Sequence, residues 1–365
     1  MKFSINQSEF YQALSIVAKG AATHSTLPIL SGVYIEAADD QITLQTTDLE
    51  RSVKYVSPAL IEEEGSIVVP AKLLTDISKS LPDAAVHFEA TANDAVIMCE
   101  SSTFSIKGMD AIDFPGFPTI AATDSVEIPF TEFSQMVKKV ARICSNDETR
   151  AILTGVFIQS HEGNLRMVAT DSYRLAIADK PLENSTADFE AVIPGTFLLE
   201  VASLPPSADT VHLAISENQV LVEYRNVEYI NRRLEGNYPN YNLLLPDGYK
   251  TRVTFDCKQL NTSIRRVALI NGSSSPIKFD INQATGTTQL SAVTQDVGSS
   301  QEVLSTPVEG EDIQTAFNST FILDGLSAIG TEEVSLELQD AGRPGIFKSG
   351  EGERFLYLVM PVRLF

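Results

Sequence analysis

One sequence pattern returns along this chain about every 123 residues, and that period limits what the chain can fold into. Asp48 and Asp171 are 123 residues apart, as are Gly32 and Gly155. A third pattern, with steps of 124 residues, runs through Val69-Pro70, Ile193-Pro194 and Phe317-Asn318. A chain of 365 residues has room for three such copies. A fixed period marks a repeated structural unit, and a unit of this length is a small domain.

Prolines near the end of each copy mark the boundaries. They predict three domains, which span residues 1–120, 121–246 and 247–365. Each copy begins with a helical stripe of apolar residues, with Ser8 as the predicted N-cap in the first copy and Thr131 in the second. Alternating strand patterns and a second short helix follow in each copy. The fold class is therefore α+β.

Composition indicates an ordinary globular chain without a membrane segment. Hydrophobic residues make up 43% of the sequence and charged residues 21%. No apolar run reaches the length of a membrane span, and the opening residues lack the apolar core of a signal peptide. Cysteines and histidines are too scattered for a disulfide framework or a zinc site, so we expect no metal and no cofactor. A cytoplasmic protein is the expectation.

The charge of the chain argues against a protein coated by nucleic acid. Its net charge is −21, and the three predicted domains carry −9, −7 and −5. The acidity is therefore spread over all three copies. Such a charge favours solubility and repels polyanions. Any hypothesis of DNA binding must explain how the chain overcomes this repulsion.

Basic residues nevertheless recur on the polar side of the predicted helices. Lys138, Lys139 and Arg142 lie opposite the apolar stripe of their helix. In the first copy Lys19 takes the place of Arg142, and in the third copy Arg265 and Arg266 take the places of Lys138 and Lys139. The second predicted helix of the first copy adds Lys72 and Lys79. The outer face of a helix is commonly charged, which is the simpler interpretation of each residue alone. Their repetition favours a basic lining that contacts phosphates without reading bases.

Leu269 takes the place that Lys19 and Arg142 hold in the other copies. An exposed leucine needs no explanation by itself. Together with Ile77, Phe104 and Ile106 in the first copy, it suggests an apolar joint between the ends of two chains.

Four segments of the chain resemble the bacterial DNA polymerase III β subunit family, the replication sliding clamps. They are Met1-Lys2-Phe3, Thr26-Leu27-Pro28-Ile29-Leu30, Ala169–Leu175 and Tyr357–Leu364. The resemblance covers the whole chain and its threefold period. It implies three DNA-clamp domains, each with two helices packed on antiparallel sheets, and a head-to-tail homodimeric ring around double-stranded DNA. It implies a non-catalytic processivity factor in DNA replication.

The resemblance also implies roles for individual residues. The DNA-facing residues would be Lys19, His24, Lys72, Lys79, Lys138, Lys139, Arg142, Arg150, Arg265 and Arg266. The dimer interface would bring Leu73, Ile77, Phe104 and Ile106 of one chain to Ala268, Leu269 and Glu302 of the other.

A partner groove between the second and third domains is a further implication. It would accept short peptides rich in Leu and Phe from the DNA polymerase III α subunit, the clamp loader, other polymerases and repair proteins. Its walls would be Leu153, Thr170, Ser172, Tyr173, Arg174, Leu175, Pro239, Leu243, Leu244, Val359, Met360, Pro361, Val362 and Arg363. The flexible thioether of Met360 suits several ligands. Phe365 could lie over this groove.

Two other classes of protein stay open at this stage. An enzyme could use the groups of Asp171, Ser172 and Tyr173, but no glycine elbow, P-loop or dinucleotide fingerprint accompanies them. The recurrence of the aspartate at Asp48 suits a repeated turn better than one active site. A threefold acidic scaffold for protein interactions, without DNA binding, is the second alternative; the net charge favours it and the basic helix faces oppose it.

Overall fold

The computed structural model describes residues 1–182, 185–270, 276–350 and 354–363. Phe365, which the sequence placed over the predicted groove, lies outside these residues. The chain divides into two compact units. Unit 1 comprises Met1–Phe133 and Ser203–Arg233, and unit 2 comprises Ser134–Ala202 and Leu234–Phe365.

The first copy of the repeat contains two helices and nine strands among its described residues. In chain order they are β1 (Lys2–Asn6), α1 (Gln7–Val17), β2 (Gly32–Ala38), β3 (Gln41–Thr47), β4 (Arg51–Pro58), β5 (Leu60–Glu63), β6 (Gly65–Pro70), α2 (Ala71–Ser80), β7 (Ala85–Ala90), β8 (Asp94–Cys99) and β9 (Ser102–Lys107).

The second copy follows the same order, except that its described residues hold no strand in the place of β5. Its elements are β10 (Asp124–Pro129), α3 (Phe130–Val140), β11 (Gly155–His161), β12 (Asn164–Thr170), β13 (Arg174–Pro181), β14 (Phe189–Pro194), α4 (Gly195–Val201), β15 (Thr210–Ile215), β16 (Gln219–Tyr224) and β17 (Val227–Arg232). A 3₁₀ turn, Ala141–Ile143, continues α3.

The third copy repeats the order again. Its elements are β18 (Thr251–Asp256), α5 (Cys257–Ala268), β19 (Pro276–Asn282), β20 (Thr287–Thr294), β21 (Gly298–Ser305), β22 (Val308–Gly310), β23 (Ile313–Asn318), α6 (Ser319–Ile329), β24 (Glu333–Leu338), β25 (Gly345–Ser349) and β26 (Phe355–Val359).

The predicted helix caps are wrong, although the helices themselves are present. The first helix begins at Gln7 with Asn6 as its N-cap, so Ser8 lies inside the first turn. Helix α3 begins at Phe130, one residue before the predicted cap Thr131. The physical reason is that a strand runs directly into each helix and leaves no linker for a separate cap. In the third copy the last strand residue, Asp256, caps the helix itself by accepting a hydrogen bond from the Gln259 N–H at 2.6 Å.

Apolar stripes hold the helices on the sheets as the sequence pattern predicts. Phe10 of α1 is fully buried and meets Phe3 edge-on, with 6.0 Å between ring centroids. Phe3 in turn stacks on Phe88 of β7 at 4.9 Å. Loss of a buried phenylalanine from such a core typically costs about 3–5 kcal/mol.

All strand pairs among the described residues are antiparallel, and they form four sheets. Unit 1 holds a five-stranded sheet, β5-β1-β7-β8-β9, and an eight-stranded sheet, β10-β15-β16-β17-β4-β3-β2-β6. Unit 2 holds a nine-stranded sheet, β14-β11-β12-β13-β26-β25-β24-β18-β22, and a four-stranded sheet, β21-β20-β19-β23.

Neighbouring copies of the repeat are joined by strand pairing. In unit 1, β17 of the second copy pairs with β4 of the first, from Val227 opposite Tyr55 to Asn231 opposite Arg51. In unit 2, β13 of the second copy pairs with β26 of the third, from Arg174 opposite Val359 to Ala178 opposite Phe355. We call these the first junction and the second junction. A continuous sheet therefore crosses each junction.

Candidate functional site

The recurring Thr-Asp segments form the same turn in both copies. The Asp171 carboxylate accepts hydrogen bonds from the N–H groups of Tyr173 and Arg174, at 2.9 and 3.1 Å. Asp48 accepts the equivalent bonds from Glu50 and Arg51, at 3.0 and 2.7 Å. This confirms the prediction that the two aspartates belong to a repeated turn.

The turn carries a left-handed residue at its third position in each copy. Ser172 has φ 80° and Leu49 has φ 76°. Thr170 and Thr47 close the two turns by donating their hydroxyls to the carbonyls of Arg174 and Arg51. The turn at Ser172 leads directly into β13, the strand that forms the second junction.

We predict that Asp171→Ala lowers the free energy of unfolding by about 2 kcal/mol, because two backbone N–H groups lose their acceptor and the mostly buried Arg174 guanidinium loses one of its two carboxylate partners. Urea denaturation followed by circular dichroism measures the effect. Asp48→Ala is the matched variant and should cause a similar loss. An unchanged stability for Asp171→Ala would contradict the structural role. A hydrolytic activity that disappears with Asp171 would revive the enzyme alternative.

A cluster of buried apolar side chains lies beneath the second junction. It comprises Val168, Leu175, Ile177, Tyr241, Ile346 and Leu358, and we call it the apolar floor. Phe157, Tyr238, Leu245, Leu356 and Met360 pack against it and are only partly buried. Phe157 stacks on Tyr238 with ring centroids 5.3 Å apart. The floor itself is therefore buried, and the residues that pack against it keep part of their apolar surface exposed to solvent.

The predicted groove residues differ in their burial, and Leu175 and Met360 are the ones that belong to the floor or pack against it. The buried ones are Leu153, Thr170, Leu175 and Val359, and the half-buried ones are Arg174, Met360 and Pro361. The exposed ones are Ser172, Tyr173, Pro239, Leu243, Leu244, Val362 and Arg363. Leu243 is 81% exposed and Tyr173 is 61% exposed, which is unusual for side chains of their size.

The segment after β26 is held along this surface by backbone hydrogen bonds. The N–H of Met360 donates to the carbonyl of Tyr173 at 2.9 Å, and the N–H of Val362 donates to that of Ala316 at 2.8 Å. Met360 is thereby fixed beside Tyr173 at the edge of the apolar floor.

Arg174 ties the turn to the third copy. Its guanidinium contacts Asp171 at 2.9 Å and Asp324 at 2.5 Å, and it lies 4.6 Å from the centroid of the Phe321 ring. Burial alone would lower the pKa of Arg174, but Tyr357, Asp324 and Asp171 outweigh it, so the pKa is raised and the cation persists. Burial also raises the pKa of Tyr357, which keeps this partner neutral. Tyr173 stacks on Phe321, with 6.2 Å between the ring centroids.

Sequence reasoning missed most of the apolar floor and the aromatic residue Phe321. Tyr238 and Tyr241 lie beside Pro239 near the predicted end of the second copy, and only the proline was interpreted, as a boundary marker. Ile346 and Leu358 join the floor through the pairing of β25 with β26, which no local sequence pattern predicts.

The first junction is chemically different at the equivalent place. Ile177 pairs with Leu356 across the second junction, whereas Lys54 pairs with Glu228 across the first. Lys54 and Glu228 form an ion pair at 2.6 Å, and the Lys54 ammonium lies 4.7 Å from the centroid of the Phe117 ring. An ion pair at this position gives the first junction a charged surface where the second junction is apolar.

The predicted DNA-facing residues are mostly exposed, but several of them already have partners within the chain. The exposed ones are Lys19, His24, Lys72, Lys79, Lys138, Arg142, Arg150, Arg265 and Arg266, whereas Lys139 is half-buried. Lys19 donates to the Ser203 hydroxyl at 3.1 Å, and Arg150 contacts Asp147 and the Ser172 hydroxyl at 3.1 and 2.9 Å.

The predicted dimer residues lie at the ends of the repeat series. Leu73 and Leu269 are exposed, at 46% and 81%, whereas Ile77 and Ile106 are buried within their own chain. Phe104 and Ala268 are half-buried. Glu302 accepts hydrogen bonds from Arg266 and Ser263, and these contacts lower the pKa of its carboxyl.

The described residues contain no cluster of three or more His, Cys, Asp or Glu side chains that could hold a metal ion. Nor does this part of the chain contain a helix with the length and hydropathy needed to span a bilayer.

Comparison with known proteins identifies the class to which this fold and surface belong. The family models of the DNA polymerase III beta subunit match the chain in three parts: the N-terminal domain over residues 1–118, the central domain over 127–240 and the C-terminal domain over 242–363. The chain belongs to the DNA polymerase III beta subunit family. It has three clamp domains and acts in DNA replication as a sliding clamp, a non-catalytic processivity subunit of the polymerase. The enzyme alternative is therefore wrong, and the scaffold alternative is not favoured.

Individual relatives agree over the full length. The beta sliding clamp of Synechocystis is 32% identical over 389 residues and covers 100% of both chains. That of Streptococcus pneumoniae strain R6 is 32% identical and covers 99% of both. The crystal structure of the DNA polymerase sliding clamp from Bacillus subtilis has a TM-score of 0.95 at 29% identity and covers 100% of both chains.

Proposed function

We propose that two copies of this chain close head to tail into a ring around double-stranded DNA. The three clamp domains would span residues 1–120, 121–246 and 247–365. A ring needs no tight contact with the DNA and no recognition of bases. Its partners would stay near the template through high effective concentration.

The sheet edges support this mode of assembly. Strand β9 ends the five-stranded sheet of the first copy, and β21 ends the four-stranded sheet of the third copy. An exposed edge strand is a template for pairing with another chain. Pairing of β9 with β21 of the partner subunit would continue the strand pairing that joins the copies within one chain. This is the observation that carries the proposal.

Apolar side chains beside these two edges would complete the contact. On the third copy, the exposed apolar residues are Leu269, Val293, Val297 and Val303. On the first copy, Leu73 and Phe104 would meet them, while the buried Ile77 and Ile106 would support that surface from below. Ala268 would pack beside Leu269, and Glu302 would lie near the rim with its Arg266 partner.

The basic helix residues would contact the phosphates of the encircled DNA. They are Lys19, His24, Lys72, Lys79, Lys138, Lys139, Arg142, Arg150, Arg265 and Arg266. Contacts with phosphates position a protein without conferring sequence specificity. Many weak contacts, some bridged by water, would permit sliding.

The second junction would be the docking groove for partner peptides. Its apolar floor, with exposed Tyr173 and Leu243 at the edge, suits Leu and Phe anchors. The partners would be the DNA polymerase III α subunit, the clamp loader, other polymerases and repair proteins. The ion pair between Lys54 and Glu228 would make the first junction unsuitable for the same peptides.

A reducing cytoplasm is the proposed location. Cys99, Cys144 and Cys257 are free thiols, and burial raises the pKa of Cys144 to about 12, so its thiol stays protonated and unreactive at neutral pH.

Negative-stain electron microscopy of the purified protein, with particle averaging, tests the proposed assembly. A six-part ring with an open centre is the expected result. Solid or elongated three-lobed particles, at concentrations where a dimer should persist, would reject the ring and leave only the domain fold in common with the family.

A further inference from the structure

We propose that Arg150 is a positioning residue for the peptide groove, because its guanidinium fastens the turn that carries Tyr173. The inference rests on the proposed function and deepens it, since it assigns to one side chain the placement of the groove edge. The Arg150 guanidinium donates to the Ser172 hydroxyl at 2.9 Å and to the Asp147 carboxylate at 3.1 Å. We call these two contacts the Arg150 clasp. All of its residues lie in unit 2.

One end of the clasp is anchored in the segment that precedes β11. Asp147 caps the 3₁₀ segment Glu148–Thr154 and accepts hydrogen bonds from the Thr149 N–H at 3.1 Å and the Thr149 hydroxyl at 2.6 Å. The bonds from Thr149, followed by the contact with Arg150, lower the pKa of Asp147 and keep its carboxylate ionised at neutral pH. The same segment carries the buried Leu153, a predicted wall of the groove.

The other end of the clasp is the left-handed residue of the turn. Ser172 has φ 80°, a backbone conformation that residues other than glycine seldom adopt. Tyr173 follows it directly and is 61% exposed at the groove edge. The carbonyl of Tyr173 also accepts the Met360 N–H at 2.9 Å. A shift of Ser172 would therefore move Tyr173 and loosen Met360 together.

The repeat supplies an internal comparison. Leu27 and Leu49 stand 123 residues before Arg150 and Ser172, and their side chains cannot form the hydrogen bond. The turn at Leu49 forms nevertheless, with φ 76°. The clasp is therefore not required for the turn to fold. Its effect is to fix the turn relative to the segment before β11, in the copy whose turn leads into the second junction.

The clasp separates two roles for Arg150. Its side chain is 42% exposed and already has a carboxylate and a hydroxyl as partners. A positioning role predicts that peptide affinity depends on Arg150 through Ser172. A phosphate contact alone predicts that only the affinity for duplex DNA depends on it.

A double-mutant cycle on the full-length chain tests the positioning role, with a fluorescein-labelled peptide that ends in Leu-Phe and anisotropy as the measurement. Arg150→Ala and Ser172→Ala should each weaken peptide binding by about fivefold, the size expected for one partly exposed hydrogen bond. The double variant should also lose about fivefold rather than about 25-fold, because both changes break the same contact. The matched control is Arg232→Ala, at an arginine that is 61% exposed and paired with Glu50. It should stay within about twofold of the wild type, as substitutions remote from a binding site do.

Amide hydrogen exchange separates positioning from a general loss of stability. The Met360 N–H bonds to the carbonyl of Tyr173, and at the first junction the Arg232 N–H bonds to the carbonyl of Glu50 at 3.1 Å. In Arg150→Ala, exchange at Met360 should accelerate by about fivefold, while exchange at Arg232 should not change, because local opening differs from global unfolding. Equal acceleration at both amides would reject the positioning role.

The remaining outcomes each reject a defined statement. If the wild type binds the peptide and Arg150→Ala binds it equally well, Arg150 does not position the groove, although the groove itself stands. Independent losses that multiply in the double variant would show that the effect does not pass through Ser172. A loss of duplex affinity without a loss of peptide affinity would leave Arg150 as a phosphate contact only. If the wild type does not bind the peptide, the proposed groove is wrong and the inference is rejected with it.

Discussion

Met360→Ala and Tyr173→Ala should each weaken the binding of a Leu/Phe-rich peptide by about 30-fold or more, since truncation of a central anchor residue costs about 2 kcal/mol or more. Met360 packs on the apolar floor and is held against Tyr173 through its backbone. Both side chains are incompletely covered by the chain, so both are available to a ligand. Fluorescence anisotropy with a labelled peptide that ends in Leu-Phe measures the effect.

Two variants elsewhere in the chain match these changes. Met109→Ala removes a half-buried methionine from the first copy, and Tyr249→Ala removes a tyrosine that is 41% exposed. Both should bind the peptide as the wild type does. If the Met360 and Tyr173 variants keep full affinity, the peptide site is not at the second junction. If all four variants lose affinity together, the effect is a general one on the fold.

Leu269→Glu should raise the dissociation constant of the dimer by about 100-fold or more, because an unpaired carboxylate buried in an apolar contact costs several kcal/mol. Leu269 is 81% exposed in the single chain, so the change should leave the folded chain intact. Sedimentation velocity over a range of concentrations measures the shift toward monomer. Leu60→Glu, at a leucine that is 75% exposed and lies outside the proposed interface, is the matched control.

A second variant makes the pairing of faces testable. Leu73→Lys combined with Leu269→Glu places opposite charges on the two proposed sides of the contact. The double variant should recover part of the dimer affinity that Leu269→Glu alone removes, as coupled neighbours do in a double-mutant cycle. Additive losses would show that the two side chains do not meet. A wild type that sediments as a monomer at every concentration would reject the dimer.

Local patterns predicted much of the fold because each depended on a short stretch of chain. Alternating patterns predicted strands after the first helix of each copy, and in the first copy β2 and β3 form an antiparallel pair. A stripe of apolar residues predicted a helix at the start of each copy, and Phe10, Leu14 and Val17 of α1 are all fully buried. The caps failed because a strand that continues into a helix leaves no separate capping residue, which the local pattern at Ser8 could not reveal.

Features that depend on distant pairings were not predictable from the sequence. The apolar floor forms only when β13 pairs with β26, segments that lie far apart in the chain. The contrast between Ile177 with Leu356 and Lys54 with Glu228 becomes visible only in the register of two such pairings. Likewise, Arg266 and Glu302 were assigned to different surfaces, although they form one ion pair.

The two junctions also determine which contacts of a closed clamp can open. Separating β4 from β17, or β13 from β26, would break a continuous antiparallel ladder and expose its backbone groups together with the side chains packed below. A domain boundary built in this way should resist bending and should not act as a hinge. Strain applied during loading onto DNA should therefore concentrate at the proposed contact between subunits, where no peptide bond links the two sides. Covalent cross-linking of that proposed contact should keep the clamp closed.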